Sequence, residues 1–320
     1  DIPHEDRNRA FEIAKDSAVD ENLIVINGTE ITRKFPPGHI NAVFVKDANK
    51  LIRIDRSKQP EVDQFIDSLP KDLIQDYIDE PWLNDGVLAA MWPIEETLME
   101  AKNQDAFVFW NHPAWSSEEE SSDKLLHEIH IDLFNQNLIH GIEVVNGIWF
   151  SDEAFQIAID YDLTIMGTSD VHGLIDWDYL QRPNGHRSVT LILSKDRTEE
   201  SIKEALFNGR TVVWYKNNLI GKNENILEII EACLSIKSAK FKGKTNVLLV
   251  EIENISDVNF QFRVNDGQLI ENNPNIFSVL PHGITKIEIG NSKSTKVNLG
   301  LDVLNAFIRP NTHPQIVLSN

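Results

Sequence analysis

The sequence predicts an α/β fold with an all-β tail: βα units around a parallel sheet or barrel, then a small antiparallel module. Three observations predict it. Between about residue 6 and residue 220, helix-periodic stretches alternate with short β-branched or aromatic runs, which is how successive βα units read. Two of those runs, FVFW and LTIM, are almost continuously apolar, as strands are when other layers cover both faces. After about residue 235 the pattern changes to short alternating strands separated by Asn, Gly, Pro and Ser, the pattern of a β-sandwich.

Taken in order, RNRAFEIAKDSA places Phe11, Ile13 and Ala14 on one helical side. LIVINGTEI is a β-branched run interrupted by Asn-Gly, and NAVFV (41–45) reads as a buried strand. Residues 59–102 are rich in helix formers, and IEETLMEAKNQ carries a helical stripe after Pro93, a residue suited to a first turn. Strand-like AFVFW (106–110), helical KLLHEIHIDLFNQN, strand-like HGIEVVNG, helical SDEAFQIAIDYD and strand-like LTIMGTSD follow. RSVTLIL (187–193) is a further strand. The helix TEESIKEALFNG has Thr198 as its N-cap, with Glu199 and Glu200 where the dipole favours acids. TVVWY (211–215) closes the series. VLLVEIENI, NFQFRV, FSVL, TKIEIG, TKVNLGLDV and PQIVLSN form the tail. The expected division is residues 1–225 and 235–320.

Composition narrows the function. The chain has 320 residues and a formal net charge of −20, which argues against a surface that grips nucleic acid or anionic membrane. With 41% hydrophobic residues it can fill a core. No run approaches the roughly 18 apolar residues of a membrane span. The single cysteine, Cys233, excludes an intramolecular disulfide and a cysteine-rich zinc site. The acidic run SSEEESSD (116–123) reads as a solvated loop.

Ionisable residues collect at strand ends. Glu30 follows LIVINGT, His112 follows AFVFWN, and Asp170 and His172 follow LTIMGTS; His39 instead precedes a strand, after Pro36-Pro37-Gly38. In an α/β barrel the loops after the strands build one active face. Asp-x-His alone reads first as a turn or a helix cap, and second as a pair of ligands for a divalent metal. Glu143, beside Asn146 in GIEVVNG, reads as a hydrogen-bonded supporting residue.

GTEITRKFPPGHINAVF, FVFWNHPAW, GIEVVNG and GTSDVHG, in this order, resemble the PHP (polymerase and histidinol phosphatase) family of metal-dependent phosphoesterases. More narrowly they resemble its two-domain bacterial members with a C-terminal β module. The resemblance covers roughly residues 1–220. It implies a distorted (β/α)7 TIM-like barrel, here lacking its first strands, and a cluster of two or three divalent ions, Zn, Mn or Fe. By position Glu30, His39, His112, Asp170 and His172 match metal ligands, Glu30 and Asp170 with catalytic roles. The implied substrate is a small phosphorylated molecule, for which Arg33 and Arg187 are the candidate phosphate-binding cations; His186 and Arg9 are weaker. His127, His130 and His140 read as structural or exposed, and His282 and His313 belong to the β module.

The chain departs from the family at its start, because the His-x-His and acid-His motifs of the first two strands do not occur. The expectation is an N-terminally incomplete version of a normal enzyme; the rival is a degenerate domain with a reduced site, serving as a binding module. A third reading is an amide-type metallohydrolase on the same scaffold, using Trp110, Trp115, Trp149 or Trp177 in its pocket. A lone cysteine fits cytoplasm or periplasm, and the resemblance favours a periplasmic or exported protein. The oligomeric state is not readable.

Overall fold

The computed structural model describes residues 4–179, 186–265 and 275–320. In chain order the elements begin with α1 (Arg9–Ser17), β1 (Gly28–Ile31), β2 (Ile40–Val43), α2 (Gln59–Asp67), α3 (Lys71–Asp79), α4 (Pro81–Ala90) and α5 (Ile94–Asn103). Next come β3 (Phe107–Trp110), α6 (Pro113–Glu119), α7 (Glu128–Asn135), β4 (Gly141–Asn146), β5 (Trp149–Phe150), α8 (Asp152–Asp160), β6 (Thr164–Thr168) and α9 (Ile175–Tyr179). They continue with β7 (Val189–Ile192), α10 (Glu199–Phe207), β8 (Thr211–Tyr215), β9 (Asn218–Gly221), α11 (Asn223–Cys233), β10 (Leu234–Phe241) and β11 (Leu248–Asn254). The last are β12 (Phe260–Val264), β13 (Ile276–Val279), β14 (Gly283–Ile289), β15 (Asn298–Val303), β16 (Ala306–Phe307) and β17 (Gln315–Ser319).

Contacts divide the chain into two compact units. The first comprises Asp1–Glu143, Tyr161–Thr164 and Ser194–Gly209; the second comprises Val144–Asp160, Ile165–Leu193 and Arg210–Asn320. The helix expected near the start forms as α1, but none of its residues is buried and Ile13 is half exposed.

In the first unit β1 pairs antiparallel with β2, β2 antiparallel with β3, and β3 parallel with the start of β4. The all-parallel arrangement expected from strand–helix alternation therefore does not hold here. Residues 32–39 are too few for the dozen or so that a parallel crossover takes, so β2 returns directly beside β1. β1 is also shorter than LIVINGTEI suggested. Leu23–Asn27 stays outside the ladder, and the Asn27 carbonyl accepts the amides of Phe44 and Val45 instead. Ile40, Ala42, Val108, Trp110 and Ile142 are buried to the last per cent. Burying such side chains is worth roughly 1.5–3 kcal/mol each, and here it anchors the three strand ends that carry the candidate site. Thr198 caps α10 as expected, its hydroxyl accepting from the Ser201 amide.

In the second unit β4 continues and pairs with β5, Asn146 opposite Trp149, and with β6. β7, β8 and β9 form antiparallel neighbours, and β16 joins β9 in parallel. RSVTLIL and TVVWY are thus antiparallel although a helix separates them in sequence. An apolar run reports that a strand is covered, not the direction of its neighbour.

The tail forms two antiparallel sheets, β10-β11-β14 and β13-β12-β15-β17. Along β11 buried and half-buried residues alternate. Val250 and Ile252 share a core with Phe260, Phe262, Leu299 and Leu301. On the opposite face Glu251, Glu253 and Glu288 pair with Lys286, Lys237 and Lys242 at 2.5–2.9 Å. Period-two alternation puts apolar residues on one face and these ion pairs on the other.

Candidate metal centre

Three side chains of the first unit converge. One ligand atom from each of Glu30, His39 and His112 lies within 4.8 Å of the others. Glu30 sits on β1, opposite Asn41 of β2. His39 stands just before β2, and the Asn111 amide donates to the His39 carbonyl at 2.9 Å. That bond extends the β2–β3 ladder one step beyond the strand end and sets the next residue, His112, beside His39. The two imidazole centroids are 4.8 Å apart.

Each position is held by its surroundings. Gly38, before His39, has φ +82, and a Cβ there would meet the Ser116 side chain at 3.2 Å; a side chain at this φ is strained as well as crowded. The preceding Pro37 carbonyl lies 2.9 Å from His130 Nε2, and His130 stacks on Trp110 at 3.9 Å. His130, fully buried, thereby braces the loop that delivers His39; burial, reinforced by nearby His127, pushes its pKa down to about 4 against the opposing bond to Pro37. His112 ends the β3 turn with φ 22 and ψ 56, directly before Pro113 at the first position of α6. Its backbone amide donates to the buried Glu143 carboxylate at 2.6 Å. Its Nδ1 lies 3.2 Å from Ser116 Oγ. A proton on Nδ1 donates to that hydroxyl and leaves the Nε2 lone pair toward Glu30.

The Glu30 carboxylate turns one oxygen toward each imidazole. Oε1 lies 2.9 Å from His39 Nδ1 and Oε2 lies 3.9 Å from His112 Nε2. Thr32 Oγ1 donates to Oε1 at 2.8 Å and Asn111 Nδ2 to Oε2 at 2.9 Å. Burial raises the Glu30 pKa, but the close His39 imidazole, the bond from Thr32 and the charge of His112 outweigh it, and the carboxyl settles at about 2. The group is therefore ionised throughout the neutral range. His39 Nδ1 is buried and lies off the line that a ring N–H···O bond to Oε1 would need, so it has no aligned hydrogen-bond partner. A buried nitrogen without a partner is costly. Two donor atoms about 2.1 Å from one tetrahedral ion stand roughly 3.4 Å apart. The His39–Glu30 and His112–Glu30 spacings, 2.9 and 3.9 Å, lie either side of that value, and imidazole plus carboxylate is a donor set for divalent transition metals.

The other sequence candidates divide between the units. Glu143 is in the first unit and supports His112, as described. Arg33 donates to the carbonyls of Thr32 and Trp92 and to Thr97 Oγ1, so its guanidinium is engaged by the protein itself. Asp170, His172, Asn146 and Arg187 lie in the second unit. Asp170 accepts from Asn146 Nδ2 at 3.1 Å and has φ 48. His172 is exposed, its Nδ1 3.0 Å from the Asp170 carbonyl. Arg187 is exposed, and His186 stacks on Trp214. Trp110 belongs to the core, while Trp149 and Trp177 are exposed. Of the residues that shape the cluster, Thr32, Asn111 and Ser116 escaped the sequence reading. Thr32 was legible in principle, two residues from Glu30 on a strand and hence on the same face.

The Ig-like domain family DUF5001 matches residues 234–319. Among curated proteins no match is found. Over the whole chain the structure is similar to the crystal structure of a two-domain protein from Bacteroides vulgatus ATCC 8482 that contains a predicted PHP-like metal-dependent phosphoesterase. The identity is 28%, the match covers 98% of this chain and 80% of that one, and the TM-score is 0.77. A protein of Bifidobacterium adolescentis ATCC 15703 matches at 19% identity over 62% of this chain and 81% of that one, with a TM-score of 0.34. The two-domain, PHP-like resemblance read from the four motifs thus holds along the chain, and its tail is Ig-like.

Proposed function

We propose that this chain, two-domain and PHP-like, is a metal-dependent phosphoesterase that hydrolyses a small phosphorylated substrate. The supporting observation is the convergence of Glu30, His39 and His112, with a buried His39 nitrogen whose lone pair has no other use. In this reading residues 1–225 are the hydrolase part, a distorted barrel, and residues 235–320 are an accessory β domain. Glu30, His39 and His112 would hold a divalent ion, and Asp170 and His172 are proposed as metal ligands from the resemblance alone.

Bound ions supply charge neutralisation at the phosphoryl oxygens and make water at the site more acidic. The protein's part is positioning. Glu30 stays ionised because the imidazoles of His39 and His112 face it and Thr32 donates to it, and as an anion it would help to hold an ion. His112 is kept in its tautomer by Ser116 and in its backbone conformation by Glu143. Asp170, which accepts from Asn146, is proposed as a catalytic residue from the resemblance alone. Arg187 is exposed and free to meet phosphate as a bidentate donor; Arg33, occupied by carbonyls, steadies the loop between Glu30 and His39.

Metal analysis of the purified full-length protein, with p-nitrophenyl phosphate turnover in added Mn²⁺, tests the reading. Stoichiometric bound metal and turnover that disappears with Glu30→Gln are expected. Protein without bound transition metal and without turnover in Mn²⁺ sinks it, as does retained turnover in a His112→Ala, Asp170→Ala double variant.

A further inference from the structure

Helix α6 partitions its side chains the wrong way round for folding. Ser116 and Ser117 are buried at 2% and 7% exposure, whereas Trp115 is 51% exposed. Tryptophan is ordinarily well buried and serine mostly exposed, so burial of apolar surface does not account for this arrangement. The serines have local reasons: Ser116 meets the His112 ring and packs on Gly38, and the Ser117 hydroxyl bonds the Lys124 carbonyl. Among the described residues, the ring contacts of Trp115 are to the two histidines of the candidate metal centre. Its indole stands edge-to-face with both imidazoles, 5.6 Å from His39 and 5.0 Å from His112. Three residues beyond His112, it shares that residue's side of the first helical turn.

From this geometry we infer that Trp115 is the specificity-determining residue of the site: it receives a flat, apolar-faced ring on the leaving group of the phosphoester, and so selects aryl-type over short alkyl esters. Indole has a large polarisable face, and stacking on it tolerates many rings. A phosphoryl group drawn to ions held by Glu30, His39 and His112 would carry its leaving group past the indole. A ring there covers the exposed indole, whereas an ethyl group leaves most of it in water. The inference rests on the phosphoesterase reading for the identity of the reaction, but the preference for a ring is measurable without turnover.

Two measurements on the full-length protein test it. The first compares kcat/KM for phenyl phosphate and ethyl phosphate in wild type, Trp115→Ala and Trp115→Phe. The ratio is the readout, because lost support of the imidazoles lowers both substrates together. Wild type is expected to favour phenyl phosphate, Trp115→Ala to lose about tenfold of that ratio, a stacking free energy of about 1.4 kcal/mol, and Trp115→Phe to keep most of it. The second compares calorimetric binding of phenylphosphonate and methylphosphonate. Tighter binding of the phenyl compound, lost in Trp115→Ala, supports the platform even where no ester is turned over, in which case the phosphoesterase reading alone fails. Equal binding of the two phosphonates by wild type overturns the inference, and so does a ring preference that survives in Trp115→Ala.

Discussion

Glu143→Ala isolates the support beneath His112. The wild-type carboxyl, 1% exposed, accepts the His112 amide at 2.6 Å, a short bond for an N–H donor. Such a hydrogen bond contributes roughly 0.5–1.5 kcal/mol, and up to about 3 kcal/mol where the acceptor is charged. It holds a non-glycine residue at φ 22, a conformation that costs about 1–3 kcal/mol. Alanine removes the acceptor, leaves a cavity and lets the turn relax, for an expected loss of about 2–4 kcal/mol. Glutamine keeps an oxygen acceptor, and its loss should stay near 1 kcal/mol, the worth of a neutral bond. Relaxation of the turn swings the imidazole out of the site, since Nε2 then leaves Glu30. Supporting residues of metal ligands typically change affinity roughly 10–100-fold, and Glu143→Ala is placed in that range. Urea denaturation of metal-free protein measures the first effect, and competition with a fluorescent chelator for Zn²⁺ or Mn²⁺ measures the second. A Glu143→Ala protein with wild-type metal affinity would refute the reasoning, whatever its stability, because it would mean that the His112 turn stands without the carboxylate.

Stability should fall in acid through His130 and His140, both lowered by burial to about 4. The unfolded imidazoles bind protons from about pH 6.5 downward while the folded ones stay neutral, so stability is lost as pH drops from about 6.5 to 4, by about 3 kcal/mol for fully buried His130. Urea midpoints across that window measure the slope; His130→Phe should flatten it, and a variant profile parallel to wild type contradicts the assignment. In the second unit, a Cβ on Gly167 would overlap Val213 Cγ1, so Gly167→Ala should destabilise by about 1–3 kcal/mol. Val213→Ala should recover part of that loss in the double variant, and an unperturbed melting temperature in the single variant would show that the strands yield freely.

The helices and strands of this chain were legible because their signals are local. Thr198 caps α10 from its own neighbourhood, and β11 shows its buried face by alternation alone. The motif order around Glu30, His39 and His112 was equally legible, since strand ends and turn formers mark where a chain can expose polar side chains. Strand direction was not. The antiparallel return of β2 and the pairing of β7 with β8 depend on which neighbour each strand finds, and an apolar run carries no such label. Nor could spacing reveal that Arg33 spends its donors on the carbonyls of Thr32 and Trp92, or that α6 buries Ser116 and leaves Trp115 outside. The sequence by itself determined the elements, the donor types and their order along the chain. Only the tertiary structure decided which donors meet, because residues 30, 39 and 112 come together through ladder register and one left-handed turn, and both are set by contacts distant in sequence.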